Sequence, residues 1–208
     1  MIKTSFLSIR MYKTSIINLA SLAVFLVTSL AAAAPCHSAA APLTAPSPIM
    51  KAHKGRGFMI SLPSNWSIDN HPSGMSYCAA TDGKRVTRDA EGTIVSILLG
   101  LAAGYQKTDS ATAKDAAQQI VRSYQEDNPG LRVVSRQAVK IDGFPAESVL
   151  IESATGRGGE LERSWMLFVV KNGQLFLAAF TSPARDYNQV QGVFTQIAGS
   201  IRLGVCRT

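Results

Sequence analysis

The chain has 208 residues, 46% of them apolar and 17% charged, with a formal net charge of +7. That length fits about one domain of the usual ~100–200 residues, and the apolar content excludes a chain too polar to bury a core. Three of the cations lie in a leader-like segment, and the charge of +4 left without them is not the basic footprint of a nucleic-acid binder.

Residues 1–40 read as a signal peptide. Lys3, Arg10 and Lys13 form a basic start, Ile16 to Leu30 an apolar core, and a run of small residues follows. That order is what the secretion machinery reads, with Met1 or Met11 as the start and cleavage after Ala33 or Ala40. A retained anchor is the competing reading, but the apolar run is ~15 residues, short of the ~20 a spanning helix needs. Cys36 follows the apolar core, where a bacterial lipid could be attached. That signal wants a small residue before the cysteine, and Pro35 stands there instead. Periplasmic export is therefore the expected localisation, with lipid anchoring through Cys36 as the alternative.

Residues 41–54, with Pro42, Pro46 and Pro48 among small residues, read as an extended tether. The remainder, 55–208, reads as a single domain. It opens with a strand at Phe58–Leu62, closed by Pro63, and Trp66 is expected to cover the end of a core. Met75–Ala80 suggests a short strand and Asp82-Gly83 a turn. Lys84, Arg85 and Arg88 make a basic cluster in a loop, a candidate surface for an acidic partner or for peripheral contact with anionic lipid head groups. The nearby Asp82, Asp89 and Glu91 also allow a plain solvated loop.

The near-continuous apolar run Thr93–Leu101 predicts one strand buried on both faces, hence helices on both sides of the sheet. A helix is expected over 111–127. Thr112 with Asp115 resembles a capping box, and Ala113, Ala116, Ala117, Ile120, Val121 and Tyr124 fall on one face. Asn128-Pro129-Gly130 stops it. A four-strand meander over 131–181 follows, its first hairpin turning at Asp142-Gly143 and its last at Asn172-Gly173, both suited to positive φ. A Gly-rich loop at 154–160 joins its middle strands and is a second candidate interaction loop. Ser182-Pro183 predicts the cap and first residue of a C-terminal helix whose inner face is Tyr187, Val190, Phe194, Ile197 and Ile201.

With 1–40 removed, Cys78 and Cys206 remain. In an oxidising compartment they are a candidate disulfide closing a loop of ~130 residues, and in the chain-entropy model such a loop is worth on the order of 4–5 kcal/mol. Two separate thiols are the alternative. Cys78 lies seven residues from His71, so a thiol-dependent hydrolase using that pair is a second functional reading. The chain has no HExxH, G-x-S-x-G or phosphate-cradling Gly-rich loop, so no metal, cofactor or catalytic residue is expected from motifs.

The order of these segments resembles that of the PsbP-like and DcrB-like exported proteins. The resemblance covers about residues 57–203 and rests on Phe58-Met59-Ile60-Ser61-Leu62-Pro63 with Trp66, the Asn-Pro-Gly stop, and Val139-Lys140-Ile141-Asp142-Gly143-Phe144-Pro145-Ala146. Arg163-Ser164-Trp165, the Asn-Gly hairpin and Thr181-Ser182-Pro183-Ala184 complete it. It implies an α+β fold, an α/β/α sandwich with a central antiparallel sheet and helices on both faces. It also implies a non-enzymatic accessory or partner-binding role in the bacterial cell envelope, with another envelope protein as partner. A carrier of a small apolar ligand remains an alternative.

Overall fold

The computed structural model describes residues 45–70, 76–80, 86–88, 94–97, 99–154 and 161–204. Its elements in chain order are strands β1 (Met50–Gly55), β2 (Phe58–Pro63), β3 (Trp66–Asn70), β4 (Ser76–Ala80), β5 (Val86–Arg88), β6 (Ile94–Ile97) and β7 (Gly100–Lys107). Helix α1 (Ala113–Asp127) follows, then β8 (Arg132–Ile141), β9 (Phe144–Ala154), β10 (Leu161–Lys171), β11 (Gln174–Pro183), helix α2 (Tyr187–Gly199) and β12 (Arg202–Leu203). Among the described residues they form a seven-stranded sheet ordered β3-β4-β7-β11-β10-β9-β8, a three-stranded sheet β1-β2-β12, and a β5-β6 pair.

The meander over 131–181 is the backbone of the large sheet. Each of its hairpins pairs in antiparallel register, Ile141 facing Phe144 and Lys171 facing Gln174. Both turns have positive φ at both central residues, 50° and 80° at Asp142-Gly143 and 52° and 69° at Asn172-Gly173. Asx-Gly is legible as a turn because those two residues tolerate the backbone twist that matches the strands.

Alternation along β10 and β11 sends side chains to two cores. On one face Val149, Ile151, Met166, Phe168, Leu175 and Leu177 pack against Ala116, Ala117 and Val121 of α1. The face of α1 is the one its spacing predicts. Its start is fixed by Thr112, whose Oγ1 accepts the Asp115 amide at 3.1 Å and donates to the Asp115 carboxylate at 2.7 Å. Thr112→Ala should lower stability by about 1 kcal/mol, read as a shifted denaturant midpoint with an unchanged slope.

On the opposite face the residues between, Phe176 and Phe180, meet aromatic side chains from elsewhere. Phe176 lies 5.3 Å from the Phe58 ring on β2, and Phe180 lies 5.3 Å from the Phe194 ring on α2. Trp66 closes this core edge-on to Phe194 at 6.5 Å, the covering role expected of it. Helices thus sit on both faces of a central antiparallel sheet, an α/β/α sandwich whose second layer also holds the small β1-β2-β12 sheet.

Four segments differ from the sequence reading. β1 occupies the second half of the expected tether, pairing along its whole length from Met50–Pro63 to Gly55–Phe58. Its side chains are half-buried or exposed, so no apolar periodicity marks it; backbone hydrogen bonds to β2 hold it. The apolar run 93–101 is divided, β6 pairing with β5, and β7 entering the large sheet between β4 and β11. An unbroken apolar run does not say where one strand leaves a sheet and the next begins. Val86–Arg88, read as loop, is β5. Finally, Ser182-Pro183 does not start α2. The ladder continues through Ser182–Arg163 and Pro183–Glu162, a strand end needs no proline N–H, and the helix begins after Asp186.

Candidate functional site: the open face of the large sheet

On the side of the sheet that α2 occupies, Leu167 and Val169 of β10 and Ala146 of β9 are buried, while much of the rest of the last three strands is half-buried or exposed. The residues that point to this side are set by register. Beyond the buried Leu167, Val169 and Ala146, those that form the open part are Leu161, Arg163 and Trp165 on β10, Ser148, Leu150 and Glu152 on β9, and Arg132, Ser135 and Gln137 on β8. The bulge at Val134, where the β8 register shifts, restores Ser135 and Gln137 to the side that Arg132 occupies.

Glu152 organises one end of this face. Its side chain is only 2% exposed, yet it is ionised, because two guanidiniums close on it from neighbouring strands. Arg163 Nε donates to Oε2 at 2.9 Å, and Arg132 donates to Oε1 through Nε at 3.0 Å and through a second nitrogen. The Arg163 hydrogen bond, then those from Arg132, hold the carboxyl below its ordinary range against the opposing effect of burial. The same Arg163 guanidinium lies 5.7 Å from the centre of the Tyr187 ring at the start of α2. Burial raises the Tyr187 pKa, and Arg163 offsets part of that rise. Arg132 is 69% exposed and Arg163 30%, so the cluster has a buried anion and a cationic outer side.

Two residues along β10, the indole of Trp165 stacks on Phe180 at 5.1 Å and 27°. Its Nε1 donates to Ser148 Oγ at 2.8 Å. The ring is half-buried, held from beneath by the core and from the side by a hydrogen bond, with Leu150 beside it and exposed Ser135 and Gln137 beyond. Leu161, at the strand's start, is 45% exposed. A fixed aromatic, an exposed leucine, a side-chain amide and a charged cluster are means of holding a surface.

None of the candidate site residues singled out from sequence is among those described on this face. Cys78 lies in β4, its backbone paired between Ile68 and Leu101, while its side chain and the whole of Cys206 lie outside the described residues. Lys84, Arg85, His71 and Cys36 also lie outside them, as does the loop 155–160. Arg88 is the last residue of β5, opposite Ile94, with its side chain outside the described set. Sequence reasoning points to loops as binding surfaces and passes over the strands. The signal that could have found the face is the period-two spacing of Leu161, Arg163 and Trp165, with a glutamate among the apolar residues of the paired strand.

Among the described residues, no group of three or more His, Cys, Asp and Glu side chains is arranged to hold a metal ion. No helix there is long and apolar enough to cross a membrane.

No protein-family model matches the chain, and no curated protein matches it. Solved structures do. Cyanobacterial PsbP (CyanoP) from Synechocystis sp. PCC 6803 superposes with a TM-score of 0.55 at 12% identity, covering 74% of this chain and 92% of its own. A single-residue mutant of protein Mog1 superposes at 0.52 with 9% identity, covering 75% and 96%. At such identities the likeness is one of fold, and it joins the strand order, the two helix layers and the turn positions in one conclusion: the chain has the PsbP-like α/β/α fold.

Proposed function

We propose that the protein is an exported, non-catalytic accessory module of the cell envelope that holds another envelope protein against the open face of its large sheet. The observation that carries this reading is the half-buried, hydrogen-bonded Trp165, with the Arg132–Glu152–Arg163 cluster next to it and the exposed Leu161 on the cluster's far side. Anchored aromatic and arginine side chains of this kind supply most of the energy at protein interfaces. Export is supported by the order of basic, apolar and small residues in 1–40. The fold by itself implies no function.

The test is photo-crosslinking in the protein's own cells, with the probe placed at Gln137 on the open face, followed by identification of what is captured. One dominant envelope protein is expected. Leu161→Asp changes an exposed side chain at the rim and should leave the melting temperature within a few degrees of the parent. It should still lower the captured yield severalfold, because a rim charge is desolvated in the complex. An empty capture, or a yield unchanged by Leu161→Asp and by Trp165→Ala together, would sink the reading.

A further inference from the structure

The open face ends at β8, and β8 itself is unusual. It is a ten-residue strand at the edge of the seven-stranded sheet, hydrogen-bonded to β9 along one side, and among the described residues no strand pairs with its other side. Its five central residues, 134–138, are all exposed, so neither helix layer covers its middle. A long uncovered edge is a ready template for another strand, and proteins with such edges either block them or use them.

The side chains of β8 say which strand would fit. Arg132, Arg136 and Lys140 are exposed, and the strand contains no acidic residue. The carboxylates on β9, Glu147 opposite Ala138 and Glu152 opposite Arg132, are both buried on the inner side of the edge. A strand laid beyond β8 would therefore meet a cationic row. Arg136 and Lys140, four residues apart, share one face, and Arg132 stands on the other across the Val134 bulge. A second copy of β8 would place like charges opposite one another, which is unfavourable, whereas acidic side chains at matching spacing would form cross-strand pairs.

We infer that the free edge of β8 is a docking site for an acidic, extended protein segment, which adds to the large sheet as an eighth strand. The inference rests on the partner-binding reading above and specifies the partner's chemistry: acidic residues four apart on one face of the added strand, with main-chain hydrogen bonds to β8 giving affinity.

Selection of binders to the full-chain protein from a library of short peptides tests it, the library alternating fixed β-branched residues with randomised ones. The recovered peptides should be rich in Asp and Glu, and hydrogen exchange should show new protection of amides in β8. The double variant Arg136→Glu/Lys140→Glu alters only exposed side chains. It should bind those peptides roughly tenfold more weakly and instead accept their lysine-substituted twins. Four results overturn the inference: no binder recovered, binders without acidic enrichment, protection confined to other strands, or a dimer in which β8 of one copy protects β8 of another. Cell crosslinking separates this from the broader reading. If the double variant still captures the same envelope protein while Leu161→Asp does not, the open face stands as the interface and the edge inference falls.

Discussion

Phe194→Ala should be the most destabilising single truncation in the core beneath α2, costing about 3–5 kcal/mol, the range for emptying a buried phenylalanine site. Phe194 is fully buried and its ring meets three others: Phe180 at 5.3 Å, Tyr187 at 6.3 Å and Trp66 at 6.5 Å. Those rings come from a strand of the large sheet, from α2 itself and from β3, so no single neighbour can move in to fill the gap. Phe194→Leu keeps most of the volume and should recover more than half of the loss. Chemical denaturation monitored by tryptophan emission measures both. A cost for Phe194→Ala below about 1 kcal/mol would mean that α2 does not seat on the sheet as described.

Glu152→Ala is expected to cost about 2–4 kcal/mol, because it leaves Arg163 partly buried above Tyr187 without its anion. The lower end of that range is favoured by the exposure of Arg132, which simply returns to water. If the loss reflects an orphaned charge rather than lost packing, replacing Glu152 and Arg163 together by Leu and Met should cost less than Glu152→Ala alone. The pH dependence has a definite sign. The carboxyl is held below its ordinary value of 4.5 in the folded protein, so its contribution is complete above that pH. It disappears as the pH falls from about 4.5 through the lower folded value, where the native state must take up the proton. Glu152→Gln should therefore be less stable than the parent at neutral pH, and the gap should shrink as the solution is acidified below pH 4.5. Parallel stability curves for the two proteins down to the acid transition would show that Glu152 is not the paired carboxylate described.

The parts of the fold that can be read from sequence are those in which local and tertiary preference agree. Asp142-Gly143 and Asn172-Gly173 must turn wherever they stand, and both do. Thr112 caps α1 through the Asp115 amide as its spacing predicts, while the Asp115 carboxylate accepts from the Thr112 hydroxyl instead of the Thr112 backbone N–H. The face of α2 through Tyr187, Val190, Phe194 and Ile197 is buried, although the helix starts later than Ser182-Pro183 suggests. What escapes a sequence reading is decided by pairing. Nothing in Met-Lys-Ala-His-Lys-Gly says strand, because β1 is held by the backbone of β2 and buries little of its own. Ser182 carries a capping hydroxyl, but the Arg163 partner across the ladder keeps the chain extended.

The candidate site is less legible still, for a related reason. Arg132, Glu152 and Arg163 are separated by up to 31 positions in sequence, and only the register of three strands brings them into contact. On its own strand Glu152 reads as an outward polar residue, and its burial follows from the neighbours that neutralise it. Basic clusters in loops draw the eye because they are contiguous; a face assembled across a sheet has no contiguous trace.

The small sheet sets the order in which the molecule can be finished. β2 lies between β1 and β12, so among the described residues a strand made early is flanked by one made much later. The link is specific: Leu203 donates its amide to the Asp142 carboxylate at 2.8 Å, and Gly204 donates to the Gly57 carbonyl at 2.9 Å. A chain emerging from a ribosome can form α1 and the meander hairpins early, but it holds β2 with one side unpaired until residue 203 is free to dock. Completion of the small sheet thus waits on β12, and a polypeptide stalled short of Arg202 would keep an open edge on β2 that Arg202 and Leu203 are placed to close.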